Sequence, residues 1–455
     1  MGFQTHGVSK LAGAEARMPH TTEIDVIEVL LPDTNGILRG KWLPGSAIDK
    51  ILKDGVAMPQ SMFGLDVWGR EVAETGIHIE TGDKDGLCRP VPGTLKPVPW
   101  SPQPAMQALV SMYLPDGRPW MLDPRHILEA QLDRLTARGF KPVVAFELEF
   151  YLLRTGDDRP GATPRTVFHR ESGPARQNMY SISDLDEFAP VIQEMREAAK
   201  IQGLPADSVI SEAAPGQFEI NLYHRDDAMA AADDAVLLRR LIQGVARKHG
   251  LKASFMPKPY LDSAGSGMHI HASLLDAEGA NVFAKPGSGE ATLRHAVGGL
   301  LEHMPETALM FVSSFNGFRR LMPGSYAPVS LTWGYDNRSV AVRIPNGKPA
   351  ATRIEHRIAG ADANPYLVLA AILAALDEGI EKRIAAPEPI TGNAYDLGAP
   401  RLSASMQEAV RLFRASDFAR RRFGEAFARI YAIMKEMECA EFERRISSLE
   451  YDTYL

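Results

Sequence analysis

Glu147 and Glu149 stand two residues apart in the run Val143-Val144-Ala145-Phe146-Glu147-Leu148-Glu149-Phe150-Tyr151. Read as a strand, this run sends Val144, Phe146, Leu148 and Phe150 to one face and both glutamates to the other. With a rise of about 3.4 Å per residue the two carboxylates fall roughly 7 Å apart. That is too far to share a proton and well suited to ligating neighbouring cations. Two like charges on a half-buried sheet face are costly unless something positive answers them. The spacing therefore predicts bound metal.

The same device recurs down the chain. Across residues 217–223, Glu219, Asn221 and Tyr223 oppose Phe218, Ile220 and Leu222, with Glu212 just ahead of the turn. Across residues 268–274, His269, His271 and Ser273 oppose Met268, Ile270 and Leu274. Residues 340–344 and 353–358 repeat the pattern with Arg343, Arg353, Glu355 and Arg357. Glu147, Glu149, Glu212, Glu219, Glu355 and His269 form an oxygen-rich donor set, which suits Mg²⁺ or Mn²⁺ better than zinc. Arg320, Arg338, Arg343, Arg353 and Arg357 add more positive charge than a metal site needs for itself. That excess points to a polyphosphate clamped by metal and guanidinium together. No Gly-x-x-x-x-Gly-Lys-Ser/Thr loop is present, so any phosphoryl transfer proceeds without a P-loop. Taken singly, each glutamate reads as solvated or salt-bridged, and Arg353-Glu355-Arg357 as an edge ladder of ion pairs. Recurrence of the charged face in segment after segment is what argues for a site.

The elements that must position these residues follow from pattern and punctuation. At 455 residues with 45% hydrophobic side chains, the chain has room for two or more domains and a sizeable core. A net charge of -7 argues against nucleic acid or an anionic membrane as partner. Cys88 and Cys439 are too few for a disulfide framework, which fits a reducing cytoplasm. Neither a membrane span nor a signal peptide is legible, and residues 1–20 read as a flexible tail. Asn35-Gly36 between two apolar runs predicts a hairpin that opens a small β-rich domain over residues 21–115. Residues 56–70 read as an apolar loop, either packed on its own domain or forming the wall of a site in another subunit. A second part, residues 116–455, begins with a helix over 123–139 started by Pro124 and stopped by Gly139. Further helices are expected over 185–203 and 226–249, from Asn364 to about Lys382, and in the charged tail beyond 403.

In order along nearly the whole chain stand Phe146-Glu-Leu-Glu149, Glu212 through Gly216-Gln217 to Glu219, and Gly265-Ser-Gly-Met-His269-Ile-His271. Arg320-Leu-Met-Pro-Gly324, Asn337-Arg338 to Arg343-Ile-Pro345, Arg353-Ile-Glu355-His-Arg357 and Ala363-Asn-Pro-Tyr366 follow. This series resembles the glutamine synthetase family. The resemblance implies an α+β fold: an N-terminal β-grasp domain, then a catalytic domain whose antiparallel sheet forms a funnel flanked by helices. It implies ATP and two or three Mg²⁺ or Mn²⁺ ions per site, and a cytoplasmic homo-oligomer of stacked hexameric rings. By motif, Glu149, Glu212 and Glu219 resemble ligands of the metal near glutamate, and Glu147, His269 and Glu355 those of the metal near the phosphates. His271, Arg343 and Arg353 resemble nucleotide contacts, Gly265, Arg320 and Arg357 glutamate contacts, and Arg338 the stabiliser of the phosphoryl group in flight.

Departures from the family pattern bear on the second substrate. Where ammonia-using members place a glutamate after Pro-Gly of the arginine motif, this chain reads Ser325-Tyr326-Ala327-Pro328; where they hold an Asp-Gly-Ser-Ser loop, it reads Met58-Pro59-Gln60-Ser61-Met62. Ala264 replaces the asparagine expected before Gly265. Losing carboxylates leaves a roomier, more apolar site, so the attacking amine is expected to be larger than ammonia and to enter past Tyr326 and the side chains of Met62, Phe63 and Trp68. The segments around Glu149, Glu219, His269 and Asn364 are most similar to the γ-glutamylputrescine synthetases. Ligation of L-glutamate to a primary amine is therefore expected, with a polyamine such as putrescine favoured. The alternatives are ethanolamine, an alkylamine, an aniline or ammonia itself, and an inactive ring-forming scaffold of the same fold.

Overall fold

The computed structural model describes residues 24–155 and 179–455; the expected tail over 1–20 lies outside them. Six strands build the small N-terminal sheet: β1 (Val26–Pro32), β2 (Leu38–Pro44), β3 (Val56–Pro59), β4 (Asp85–Pro90), β5 (Lys96–Pro97) and β6 (Ala105–Tyr113). Their order is β2-β1-β6-β4-β3, with β5 on the flank of β6 and a parallel β1–β6 pair at the centre. The Asn35-Gly36 hairpin forms as expected. Asp33 Oδ1 accepts the Asn35 and Ile37 amides at 2.9 Å each, and Gly36 adopts φ 74°, a conformation glycine takes without strain. Asn364 Nδ2 donates to the Asp33 carbonyl at 2.8 Å, tying this turn to the catalytic part.

Residues 56–70 are more regular than the sequence suggests. β3 pairs with β4, and a 3-10 turn, Gln60–Gly64, follows it. Phe63 is fully buried there, in the hydrophobic core that runs through both sheets, and the turn packs on the helix Glu425–Glu443.

The catalytic sheet holds β7 (Lys141–Arg154), β8 (Ala206–Ser211), β9 (Gln217–Leu222), β10 (Leu251–Ser254), β11 (Met268–Leu275), β12 (Trp333–Tyr335), β13 (Val342–Ile344) and β14 (Ile354–His356). The order is β12-β13-β14-β11-β7-β9-β8, with β10 also on β7, and every pair except β12–β13 is antiparallel. The predicted alternation on β7 holds: Val144, Phe146, Leu148 and Phe150 are buried. Each such side chain contributes about 2 kcal/mol on burial, enough to fix the register that turns both glutamates the other way.

Helices cover the apolar face. Ala228–Lys248, its N-terminus capped by Asp227, packs on β7 and β10, and Pro124–Ala137, capped by Asp123, packs on β7. Gly289–Phe311 was not legible in the sequence, since Gly298-Gly299 and Pro305 are poor helix formers. Tertiary packing overrides that preference. A Cβ at Gly299 would lie 2.6 Å from the Cα of Gly379, so the close approach of this helix to Pro365–Lys382 requires both glycines. The helix expected over 185–203 is two, Ile182–Glu187 and Ala189–Ile201, broken where Pro190 enters the first turn of the second.

Candidate functional site

Register, more than sequence, assembles the polar face. Glu147 on β7 sits opposite His269 of β11 on one side and Asn221 of β9 on the other, and Glu149 sits opposite Glu219. One strand further, His271 pairs with Glu355 of β14, which in turn pairs with Arg343 of β13. Charged residues from five neighbouring strands thus form three rows across one sheet face. All of them except His271 line a cavity of about 390 Å³ that also takes in Glu212, Gly265, Arg320, Arg338 and Arg357.

Glu147 is the hub. His269 Nδ1 lies 3.1 Å from its Oε2 and His271 Nε2 lies 2.9 Å from its Oε1. Arg353 Nε donates to His271 Nδ1 at 3.1 Å, which leaves the ring proton on Nε2, facing Glu147. Burial disfavours the Glu147 charge, but the hydrogen bonds from His269 and His271 outweigh it and hold the carboxyl well below its usual range. Glu355 behaves alike: burial raises it, and Arg357 with the two histidines brings it to about 2. Its carboxylate also accepts from Arg343 at 2.7 Å.

The other acids face one another. Burial and the charge of Glu149 push Glu212 up to about 7, and burial with Glu147 and Glu149 pushes Glu219 well above the ordinary range. Glu149 is held in place by the Gly267 amide at 2.7 Å. Such a set is unfavourable for the chain alone and apt for cations. Two groups have their ligand atoms within 4.8 Å of one another, Glu147 with His271 and Glu355, and Glu147 with Glu219 and His269. Mixed carboxylate and imidazole donors of this kind fit Mg²⁺ or Mn²⁺. The grouping differs from the motif assignment in two respects: His271, assigned to the nucleotide, shares Glu147 with His269, and Glu219, assigned with Glu149 and Glu212, lies with Glu147 and His269.

The guanidinium side is equally built. Arg320 is buried and donates to the Ile358 carbonyl at 2.8 Å and the Arg357 carbonyl at 3.4 Å. A Cβ at position 265 would lie 2.5 Å from the Pro257 carbonyl oxygen and 2.8 Å from Arg320 Cγ, which accounts for glycine there. Arg343 Nε, Arg357 Nε and Asn221 Oδ1 are buried without a hydrogen-bond partner among the described residues, and all three residues line the cavity. Buried donors are normally satisfied, so these two arginine edges could serve an anion. Arg338 is exposed at the lining, its charge acting on Glu212.

Five of the expected positions are not among the residues lining this cavity: His271 and Arg353, and the amine-pocket positions Met62, Phe63 and Trp68. Phe63 is buried in the hydrophobic core, Met62 packs partly buried against it, and Trp68 lies between Phe442, 5.7 Å away, and the guanidinium of Arg70. Asp66 is spent locally, accepting the Trp68 and Arg70 amides at 2.9 Å each and pairing with Arg70 Nε at 2.7 Å. The apolar lining comes instead from Met179, Tyr180, Ile210, Ala213, Ala264 and Ala327, together with the expected Tyr326. Gln217, whose Nε2 donates to the Gly265 carbonyl at 3.0 Å, also lines it and was missed. It shares the strand face of Glu219 and Asn221, so the alternation could have found it.

A sheet that collects acids, imidazoles and guanidinium groups into one cavity, under helices that bury its other face, defines a protein built to hold metal and anion together. The glutamine synthetase catalytic-domain signature matches residues 121–454. The chain belongs to the glutamine synthetase family. It is 40% identical to the γ-glutamylputrescine synthetase PuuA of Escherichia coli K12, over 96% of this chain and 93% of that protein. It is 34% identical to a glutamate–isopropylamine ligase of a Pseudomonas species, over 95% of each. Among solved structures, GmaS in complex with ADP superposes with a TM-score of 0.83 at 27% identity, covering 95% of this chain and 97% of that one.

Proposed function

We propose that this protein joins the γ-carboxylate of L-glutamate to a primary amine at the expense of ATP, through γ-glutamyl phosphate, with a polyamine such as putrescine as the preferred amine. One observation carries the reading: among the described residues, every carboxylate lining the cavity is one of the five acids on the metal-type face, Glu147, Glu149, Glu212, Glu219 and Glu355. Among those residues no further acid lines it to bind a bare ammonium ion. Around Tyr326 the walls are aromatic, aliphatic or small, which suits an alkyl chain. The likeness to the putrescine and isopropylamine enzymes supports an organic amine.

In this reading Glu149, Glu212 and Glu219 hold one divalent ion, and Glu147, His269 and Glu355 another, with His271 fixing Glu147. When bound, Mg²⁺ or Mn²⁺ would neutralise phosphoryl charge and so reduce its repulsion of the attacking carboxylate. Arg343 and Arg353 orient the nucleotide phosphates. Arg320 and Arg357 hold glutamate, with the Gly265 backbone close enough to contact it. Arg338, free at the cavity edge, follows the phosphoryl group as it moves to the γ-carboxylate. The amine enters beside Tyr326, forms the C–N bond and displaces phosphate. Assembly into stacked hexameric rings is part of the proposal, and there the half-exposed Trp68 would face a neighbouring copy. No helix among the described residues is long and apolar enough to cross a membrane, and we take the location to be the cytoplasm.

ADP release with glutamate and a panel of ammonium, putrescine, spermidine, ethanolamine, isopropylamine and aniline tests this. The expected result is highest kcat/KM with putrescine or spermidine. Efficient turnover with ammonium alone would replace the reading with glutamine synthesis, and no ADP release with any member would leave an inactive scaffold.

A further inference from the structure

The loop that carries Tyr326 is held from behind by a stretch the reaction itself does not use. Tyr326 adopts φ 56°, a left-handed conformation that a bulky side chain rarely keeps unless its surroundings impose it. Part of the restraint is local, Ser325 Oγ donating to the Met322 carbonyl at 2.6 Å. The rest comes from residues 390–402. The Leu331 amide donates to the Pro400 carbonyl at 2.8 Å and the Leu402 amide to the Val329 carbonyl at 3.0 Å, which fixes the far end of the loop. At its centre, beside Tyr326, the hydroxyl of Tyr395 donates to the Ala327 carbonyl at 3.0 Å.

Tyr395 is itself well anchored. It sits on a 3-10 turn, Ala394–Asp396, where the Asn393 side chain accepts its amide at 3.2 Å. Ser339 Oγ accepts the Ala394 amide at 3.0 Å, and Asn337 Nδ2 donates to the Gly392 carbonyl at 2.8 Å. Arg338 lies between those two residues, so one short stretch backs both the Tyr326 loop and the Arg338 loop. The phenol also lies within the fields of Arg357 and Arg320. A hydroxyl donated to a main-chain carbonyl constrains the backbone whatever side chain the loop carries. Here it bears on the residue next to the strained one.

We propose that Tyr395 is a positioning residue for the amine step: through the Ala327 carbonyl it holds the loop, and with it Tyr326, in the shape that receives the amine. The assignment of the amine to that side rests on the function proposed above; the latch itself rests only on the geometry.

Tyr395→Phe in the full chain keeps the ring and removes the hydroxyl. Amide hydrogen exchange of residues 322–331 should speed up about fivefold, the order expected for one lost hydrogen bond. The KM for putrescine should rise by about the same factor, with the KM for ATP and the thermal midpoint unchanged. Unchanged exchange overturns the latch. Faster exchange with an unchanged amine KM overturns its role in the amine step. A joint shift of the ATP KM and the midpoint shows a merely structural tyrosine. In Tyr326→Gly, which adopts positive φ freely, the additional Tyr395→Phe change should shift the putrescine KM less than it does in the native loop; an equal shift means that Tyr395 does not act through Tyr326. If the ligase reading itself is wrong, the unmodified protein turns over no amine, whereas failure of the latch is seen in the variant's exchange.

Discussion

His271 and Glu147 meet across the β7–β11 pair, Nε2 to Oε1 at 2.9 Å, and Arg353 on the far side of the ring fixes which nitrogen carries the proton. The imidazole therefore reaches a carboxylate of the metal-type cluster and an arginine assigned to the nucleotide at once. Replacing it by asparagine should weaken divalent-ion binding about tenfold and raise the KM for ATP, as loss of a group that orients a ligand does. Isothermal titration with Mn²⁺ and ATP-dependent kinetics measure the two effects; an unchanged Mn²⁺ affinity would confine His271 to the nucleotide.

Glu149, Glu212 and Glu219 repel one another within the chain. Glu219→Gln removes one charge of the set at little cost in volume. In chelator the variant should melt higher than the unmodified protein, by about 2 °C or more. Added Mn²⁺ should raise the midpoint of the unmodified protein and leave the variant nearly unmoved. A variant that melts lower in chelator would mean the acids are satisfied without an ion.

Arg320 donates a fork of N–H groups to the Ile358 and Arg357 carbonyls from a fully enclosed position. Lysine keeps the charge but cannot reproduce the fork. Arg320→Lys should raise the KM for glutamate at least about tenfold and leave that for ATP within about twofold. Steady-state kinetics with each substrate varied separately decides it, and equal effects on both would point to general loss of the site.

Tyr326 occupies the position at which ammonia-using relatives are expected to hold a carboxylate. Tyr326→Glu should raise kcat/KM for ammonium about tenfold and lower that for putrescine by a similar factor, because a new acid rewards a small cation and a smaller wall loses the alkyl contact. Competition between the two amines, read as the ratio of products, gives the result directly. An unchanged ratio would move amine selection to other walls of the cavity.

Asp66 closes its own turn through the Trp68 and Arg70 amides and the Arg70 side chain. Asp66→Ala should therefore cost about 1–3 kcal/mol of stability, as unsatisfied amides do, and leave the putrescine KM unchanged. Chemical denaturation and amine kinetics on the same preparation separate this from a direct role in binding a diamine's distal charge.

Chain chemistry alone determined which residues share a face. A strand repeats every two residues, so Glu147 with Glu149, Glu219 with Asn221 and His269 with His271 could be read as pairs before any neighbour was known. The Asp33–Ile37 hairpin and the helix starts at Asp123, Asp227 and Asn364 were legible for a similar reason, since caps and turns are satisfied by residues a few positions away. Tertiary structure decided which strand lies beside which, and in what register. That is why His271 meets Glu147, why Phe63 is buried in the core, and why a phenol at 395 comes to hold a carbonyl at 327. Periodicity carries no information about partners far along the chain; only the burial of a common apolar face under the helices selects them.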